Sequence, residues 1–213
     1  MYYRDRSDAG RRLAELLVTY RAEDPLVLAL PRGGVIVGYE IARALNTELD
    51  IMVARKLGAP DNPEFGFGAI APPDVRYVNY QAVEMLGLSD QDVDRVAAQE
   101  SRELDRRMKE YRGDKPPLDC RGRTIILVDD GLATGATARA AIAAIRRQSP
   151  RRIILAVPVA PVDTAESIRD DVEELICPVI QADFYAIGQW YDSFEQVTDD
   201  EVKEKLHAAA HAG

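Results

Sequence analysis

The chain has 213 residues, of which 46% are hydrophobic and 30% charged, with a formal net charge of -9 at pH 7. This composition is typical of a folded globular protein, and the length suffices for one large domain with a full core. The acidic balance argues against nucleic acid as a main partner, because binding phosphates requires clustered Lys and Arg.

No apolar run approaches the length that a membrane span requires, so no membrane contact is expected. The N-terminus lacks the apolar segment of a signal peptide. Cys120 and Cys177 lie far apart and have no metal-like spacing, which favours reduced thiols. Together these features predict a cytoplasmic protein.

The first part of the chain predicts a helix, a buried strand and a second helix. Ser7 is predicted to cap the first helix, which extends to about Tyr20. Leu26–Leu30 reads as a buried strand, and a helix is expected over Val35–Leu45. The four residues between them, Pro31-Arg32-Gly33-Gly34, favour an anion site, because glycines allow close backbone approach and Arg binds anions bidentately. A tight turn is the alternative.

After a strand over Leu49–Ala54, residues 55–68 combine two adjacent cations with Gly, Pro and Asn. The segment shows no periodicity and is predicted to be a mobile loop that closes over a site, or else a solvated loop with two surface cations. A hairpin is expected over residues 68–78. Ser89 is predicted to cap a long helix to about Tyr111, whose charges form a solvated face or a dimer contact.

The most informative stretch is residues 124–137. Ile125–Val128 predicts a strand buried on both faces, followed by Asp129, Asp130 and a loop of small residues and glycines before a helix over residues 138–145. Backbone amides at a helix N-terminus bind phosphate, and adjacent acids suit a ligand with neighbouring hydroxyls or a metal. A ribose 5-phosphate has both features. The alternative is a strand that ends in a solvated acidic turn.

Strands are also expected over residues 151–159 and 174–179, with a helix over 163–169 between them. This alternation predicts an α/β fold with a doubly wound, mostly parallel sheet. Ligands of such sheets bind outside the carboxyl ends of the strands, where both loops lie. Residues 183–194 are rich in aromatic side chains, which fits core packing or stacking on a planar base. Thr198 is predicted to cap the last helix, where His207 and His211 lack a third zinc ligand.

The acids with Thr-Gly-x-Thr, the Pro-Arg-Gly-Gly loop and the segment Arg-Lys-x-Gly-x-Pro-x-Asn-Pro-Glu resemble the type I phosphoribosyltransferase family, and within it a broad group of bacterial members predicted from sequence. The resemblance implies transfer of ribose 5-phosphate from phosphoribosyl pyrophosphate to a nucleobase-like nitrogen acceptor, with release of pyrophosphate. It implies Mg²⁺ carried by the pyrophosphate rather than by direct protein ligands. It also implies a homodimer and a place in nucleotide metabolism, such as purine salvage.

The resemblance also assigns the site residues. The catalytic residues would be Asp129, Asp130, Arg32, Arg55 and Lys56, and the phosphate- and pyrophosphate-binding residues would be Gly33, Gly34, Gly131, Ala133, Thr134, Gly135, Ala136 and Thr137. A hood over the acceptor would span residues 183–197, with Tyr185 stacking, Ala186 as a backbone contact and Asp192 as the nearby acid. Glu64 would be a loop acid that acts on the base.

Two positions depart from the purine enzymes of that family. Hypoxanthine–guanine enzymes carry an acid at the position of Ala133. In having Ala there, this chain resembles the adenine and xanthine enzymes instead. The lysine expected after the fourth strand is replaced by Val159-Ala160-Pro161. The acceptor therefore stays open. A regulatory protein that binds phosphoribosyl pyrophosphate without turnover is the alternative. The acidic charge and the lack of a DNA-binding appendage argue against control through nucleic acid but not against control through protein, and the basic segment 55–68 favours the enzyme.

Overall fold

The computed structural model describes residues 2–113, 115–116 and 118–210, with every side chain among them except that of Glu64. The described residues form two compact units. Unit 1 comprises residues 2–52, 118–135 and 148–210, and unit 2 comprises residues 53–113, 115–116 and 136–147. The single domain expected over residues 1–213 stays a prediction.

The elements alternate between helices and strands along much of the chain. The helices are α1 (Arg6–Leu17), α2 (Gly33–Leu45), α3 (Tyr80–Met85), α4 (Asp90–Arg112), α5 (Ala136–Arg146), α6 (Val162–Ile168) and α7 (Asp199–Ala210). The strands are β1 (Leu26–Ala29), β2 (Leu49–Ile51), β3 (Arg55–Ala59), β4 (Asn62–Ala71), β5 (Val75–Val78), β6 (Thr124–Val128), β7 (Arg152–Ala156), β8 (Val159–Pro161), β9 (Glu174–Ile176) and β10 (Val179–Gln181). Short 3-10 turns occupy Val18–Glu23, Arg169–Asp171 and Ile187–Trp190.

Unit 1 is built on a five-stranded parallel sheet in the order β2-β1-β6-β7-β9. Every residue of β1 and β6 is buried, as the continuous apolar runs predict for central strands of a parallel sheet. The strand order reverses between β1 and β6, because the chain goes from β1 outward to β2 and later from β6 outward to β7. The α/β prediction with a parallel sheet is therefore confirmed.

The helices of unit 1 pack on this sheet and on each other. α2 contacts β1 and β6, and both α1 and α7 contact α2. Gly10 of α1 allows a close approach to α2, because a methyl group there would lie 2.8 Å from the carbonyl oxygen of Val37. Beside them, β8 and β10 form a separate two-stranded parallel sheet.

Unit 2 is an antiparallel sheet in the order β3-β4-β5 with helices packed against it. α5 contacts β4 and β5, and α4 contacts β3 and β4. The predicted hairpin is confirmed as the β4–β5 pair, which turns through a cis peptide between Pro72 and Pro73. The prediction of an irregular loop over residues 55–68 is wrong for the backbone, because this segment forms β3, a tight turn and most of β4.

The structure also corrects several element ends. Asp5 rather than Ser7 caps α1, accepting a hydrogen bond from the backbone N–H of Asp8 at 2.7 Å. Helix α3 was missed, and the strand expected over residues 151–159 divides into β7 and β8. Ser89 caps α4 through a reciprocal capping box, as predicted. Within the described residues, no helix combines the length and the apolar character needed to cross a membrane.

Candidate active site

Two predicted site loops leave neighbouring strands at the same edge of the unit 1 sheet. Ala29 at the end of β1 is paired with Val128 at the end of β6, and Leu30 N donates to the Val128 carbonyl at 2.9 Å. The strand order reverses between these two strands. This is the position at which open parallel sheets bind their ligands.

The loop after β1 is short because α2 begins inside it, at Gly33 rather than at the expected Val35. The peptide between Pro31 and Arg32 is cis, and the N–H of Val35 donates to the Arg32 carbonyl at 3.1 Å. Gly34 faces the neighbouring strand, since a methyl group there would lie 2.9 Å from the carbonyl oxygen of Val128. The loop thus presents backbone at a helix N-terminus, which favours anions.

Arg32 and Asp199 form a long ion pair, with 3.7 Å between Arg32 Nη1 and Asp199 Oδ1. Asp199 is the first residue of α7, so this contact links the loop Pro31–Gly34 to the C-terminal helix. Both side chains are partly exposed, and an exposed pair of this length contributes little to stability. The Arg32 guanidinium can therefore change partners at low cost.

Asp129 and Asp130 follow β6 directly, as predicted. Asp129 Oδ1 accepts the N–H of Asp130 at 2.8 Å, which orients the first carboxylate. Burial by the surrounding protein raises the pKa of Asp129 well above its ordinary value, and the negative charge of Asp130 raises this pKa further. The guanidinium of Arg6 opposes that shift.

Arg6 is a site residue that the sequence reasoning missed. Its Nε donates to Asp130 Oδ2 at 2.7 Å, and both side chains are nearly buried. The hydroxyl of Tyr191 also donates to the Asp130 backbone carbonyl at 2.7 Å. Arg6 precedes Asp130 by 124 positions, and no local pattern relates the two, so only the tertiary structure reveals the pair.

The loop from Gly131 to Gly135 is held to the neighbouring strand and helix of unit 1. The N–H of Leu132 donates to the Val159 carbonyl at 2.9 Å, and the Thr164 hydroxyl donates to the Ala133 carbonyl at 2.7 Å. Gly135 has a φ of +73°, a conformation that glycine adopts without strain. Ala133 and Thr134 at the tip of the loop are exposed.

Ala136 and Thr137 form the first turn of α5 in unit 2, directly after this loop in the chain. The helix therefore begins where the resemblance expects the phosphate to bind. The dipole of a helix places partial positive charge at this end, which favours a phosphate.

Arg55 and Lys56 lie in β3 of unit 2, where adjacent side chains point to opposite faces of the strand. Arg55 Nε and Nη2 lie 2.8 and 2.7 Å from Glu100 Oε2 on α4, so the Arg55 guanidinium is already engaged within its own unit. Lys56 is exposed and extends over Gly66, where a methyl group would lie 2.9 Å from Lys56 Cδ. The side chain of Glu64 lies outside the part of the chain that the structure describes.

The predicted hood divides its aromatic residues between the core and solvent. Trp190 and Tyr191 are buried in a cluster with Tyr3, whereas Tyr185 is 90% exposed. Gln189 holds the turn that carries Tyr185, because its Oε1 accepts the N–H groups of Tyr185 and Ala186 at 3.2 Å. Core packing thus accounts for Trp190 and Tyr191, whereas Tyr185 is an exposed ring whose role stays a prediction.

Ala186 and Asp192 form backbone hydrogen bonds in this segment. The Ala186 carbonyl accepts the N–H of Gln189 at 3.3 Å and retains a second lone pair. Asp192 is exposed, and its N–H donates to the Tyr3 carbonyl at 2.8 Å. Ile187 of this segment packs against the loop that follows Asp129 and Asp130, since a methyl group on Gly131 would lie 2.7 Å from Ile187 Cγ2.

The described residues contain no group of three or more His, Cys, Asp or Glu side chains arranged to hold a metal ion. His207 lies in α7, and His211 lies outside the described residues.

The model of the phosphoribosyl transferase domain family matches residues 3–193 of the chain. Proteins of two Mycobacterium tuberculosis strains, whose names assign them provisionally as phosphoribosyl transferases, are 41% identical to it over 205 residues. The match covers 96% of this chain and 46% of each relative, so the chain spans about half the length of the curated relatives it matches.

Two solved structures show the same fold. The crystal structure of TT1426 from Thermus thermophilus superposes with a TM-score of 0.80 at 40% identity, covering 97% of this chain and 98% of that one. A Neisseria gonorrhoeae protein solved with bound ppGpp superposes with a TM-score of 0.52 at 14% identity, covering 98% of each chain. The second likeness concerns the fold alone.

Proposed function

This chain belongs to the phosphoribosyl transferase domain family, and from that membership we propose that it transfers ribose 5-phosphate from phosphoribosyl pyrophosphate to a nucleobase-like nitrogen acceptor. The observation that carries the proposal is the meeting of two loops at the point where the strand order reverses. One loop offers glycine backbone at a helix N-terminus, and the other carries two carboxylates.

In the proposed site, two kinds of group would bind the ribose phosphate, namely backbone amides and carboxylates. The loop from Gly131 to Thr137 and the start of α5 would hold the 5-phosphate, because oriented backbone amides bind phosphate. Asp129 and Asp130 would accept hydrogen bonds from the 2- and 3-hydroxyls of the ribose. Their negative charge favours an adjacent sugar ring that becomes cationic in the transition state.

In the proposed reaction the bond between C1 of the ribose and the pyrophosphate oxygen breaks, and its electron pair leaves with the pyrophosphate. The lone pair of the acceptor nitrogen forms the new bond to C1, and the acceptor nitrogen releases its proton. Ala133 has no group that can take this proton. In this proposal the proton therefore passes to solvent or to another group on the acceptor side.

The leaving group needs positive charge and exclusion of water. We assign Arg32 and the Gly33–Gly34 backbone to the pyrophosphate, and we keep Lys56 and Arg55 as further candidates on the implied segment 55–68. Arg55 would have to leave Glu100 to take part. Lys56 is the more accessible of the two cations.

Mg²⁺ fits this arrangement as an ion carried by the substrate. In this proposal the phosphate oxygens of the substrate would bind the ion, with no direct ligand from the protein. When bound, Mg²⁺ would neutralise charge on the departing pyrophosphate. The residues of the chain do the remaining work of clamping, orienting and shielding.

On the acceptor side we propose that Tyr185 stacks on the base, with Ala186 and Asp192 contacting its polar edge. The exposure of Tyr185 supports this role, because a buried ring could not stack on a ligand. We further propose a homodimer that acts in the cytoplasm in nucleotide metabolism, with purine salvage as the first pathway class to test.

The experiment is a pyrophosphate-release assay with phosphoribosyl pyrophosphate, Mg²⁺ and a panel of purine and pyrimidine bases. Turnover with one acceptor supports the enzyme. Tight Mg²⁺-dependent binding without turnover on any acceptor would instead support the regulatory alternative. The double variant Asp129→Asn, Asp130→Asn is the negative control, expected to stay folded and to lose binding. The matched pair Asp170→Asn, Asp171→Asn on a 3-10 turn of unit 1 should bind normally.

A further inference from the structure

The Arg6 side chain joins segments of unit 1 that lie far apart in the sequence. Its Nε donates to Asp130 Oδ2 at 2.7 Å, and its Nη1 donates to the backbone carbonyl of Glu195 at 2.7 Å. The guanidinium carbon lies 3.8 Å from the centre of the Phe194 ring. The Arg6 and Asp130 side chains are 11% and 13% exposed, so solvent and salt screen this pair weakly.

The Asp130 residue is held by several contacts besides Arg6. The backbone of Gly33 closes one side of its carboxylate, and the Tyr191 hydroxyl donates to its carbonyl oxygen. A carboxylate offers about four lone-pair positions, so the contact from Arg6 leaves positions at which ribose hydroxyls can donate. Arg6 can thus orient this acid without displacing the sugar.

We propose that Arg6 is a positioning residue for the ribose ring. It fixes the charged Asp130 carboxylate against the Pro31–Gly34 loop and ties it to the segment at Phe194 and Glu195, which lies within the proposed acceptor hood. Arg6 acts on the sugar through Asp130 and does not itself bind the pyrophosphate. The inference rests on the proposed function, because the ribose of phosphoribosyl pyrophosphate is the ligand that these acids would hold.

The charged groups around Asp129 and Asp130 should make the effect of Arg6 on ligand binding depend on pH. The two acids face each other, Arg6 faces them from α1, and the Tyr191 hydroxyl faces them from the C-terminal segment. Arg32 at the start of α2 is engaged with Asp199. Arg6 lowers the pKa of Asp129, so its removal would raise that pKa further and protonate Asp129 at a higher pH.

The test compares Arg6→Gln, Arg6→Lys and the control Arg11→Gln by calorimetric titration of the whole chain. Arg11 is also on α1 and pairs with Glu40 at 3.5 Å, away from the acids. Each variant is titrated with phosphoribosyl pyrophosphate and with pyrophosphate alone, both with Mg²⁺, over a range of pH. Thermal unfolding of each variant reports whether it is folded.

We expect Arg6→Gln to weaken binding of phosphoribosyl pyrophosphate by about 10- to 100-fold, as for loss of a charge-assisted hydrogen bond. Binding of pyrophosphate alone should change much less. The pH at which binding of phosphoribosyl pyrophosphate is half lost should be higher than in the wild type. Arg6→Lys should recover part of the affinity because it restores the charge, and Arg11→Gln should bind like the wild type.

The inference is overturned if Arg6→Gln binds phosphoribosyl pyrophosphate as tightly as Arg11→Gln at every pH. Equal weakening for both ligands also overturns it, since Arg6 would then contact the pyrophosphate. If Arg6→Gln does not fold, Arg6→Lys decides: a wild-type Kd for both ligands refutes the positioning role. Failure of the proposed function is distinct, because the wild-type chain itself would then either not bind phosphoribosyl pyrophosphate or bind it without turnover on any acceptor.

Discussion

Gly33 and Asp130 are in such close contact that a methyl group on Gly33 would lie 1.8 Å from Asp130 Oδ2. The same methyl group would lie 2.7 Å from Arg6 Nε. The space next to Asp130 after β6 therefore requires a glycine at position 33 after β1, although the two residues are 97 positions apart in the sequence (130 − 33). This contact unites the two loops of the candidate site into one surface.

We expect Gly33→Ala to weaken binding of phosphoribosyl pyrophosphate strongly, because the new methyl group displaces the Asp130 carboxylate and its Arg6 partner. Overpacking of this kind typically costs about 1–3 kcal/mol of stability. Calorimetric titration and thermal unfolding measure the two effects. Gly87→Ala is the control: its φ is +63° with open space around it, so it should cost stability without changing ligand affinity. An unchanged Kd in Gly33→Ala would contradict the arrangement.

Asp129 should make the folded state less stable as the pH rises. Because its folded pKa is raised, the unfolded chain loses this proton first, near a pKa of about 3.9. Above that pH the free energy of unfolding falls, until the pH passes the folded pKa. Asp129→Asn removes this fall, so the variant should gain stability relative to the wild type as the pH rises above the unfolded pKa, as urea unfolding would show.

Asp92 provides a control of opposite sign for this pH experiment. Hydrogen bonds from Ser89, with the adjacent Arg95, lower the pKa of Asp92 to about 2. Its stabilising contribution is therefore present above the unfolded pKa and is lost as the pH falls toward 2. Asp92→Asn should lose stability relative to the wild type as the pH rises. The same sign for both variants would contradict the assignment of Asp129.

The ion pair between Arg55 and Glu100 should stabilise unit 2. The two side chains are 26% and 19% exposed, so Arg55→Gln should cost about 1–3 kcal/mol by leaving a partly buried carboxylate unpaired. The double variant Arg55→Gln, Glu100→Gln should recover part of this loss in a double-mutant cycle. Lys56→Gln is the neighbouring comparison, expected to slow turnover if Lys56 serves the pyrophosphate.

Tyr185→Ala should weaken acceptor binding without affecting stability. Loss of a ring stacked on a base costs about 1–3 kcal/mol, and an exposed ring contributes little to the fold. We expect a raised KM for the acceptor and an unchanged Kd for phosphoribosyl pyrophosphate. Tyr80→Ala, in unit 2 and 73% exposed, should change neither quantity. An unchanged acceptor KM in Tyr185→Ala would remove this ring from the proposed site.

The sequence predicted those features that depend on short stretches of chain. The apolar runs identified β1 and β6 because strands buried on both faces leave no polar positions. Ser89 and the acids after it identified the start of α4, since a capping box is complete within four residues. The motif of two acids and Thr-Gly-x-Thr identified the family, which the domain match to residues 3–193 confirms.

Sequence reasoning failed where contacts between distant residues decide the structure. Residues 55–68 read as a loop because Gly, Pro and Asn are poor strand formers, yet antiparallel pairing between β3 and β4 and the packing of β4 against α5 hold the segment in a sheet. The Arg55 side chain likewise found its partner on α4, 45 positions away. Tertiary context overrides local propensity at both places.

By itself, then, the sequence determined the parallel strands, the short glycine loop Pro31–Gly34 and the adjacent acids Asp129 and Asp130, because each is encoded by neighbouring residues. Only the tertiary structure decided that Gly33 closes on Asp130 and that Arg6 holds this acid together with the segment at Phe194. The physical reason is that a buried carboxylate must find its charge partner in space, and the folded chain supplies one from any distance along the sequence.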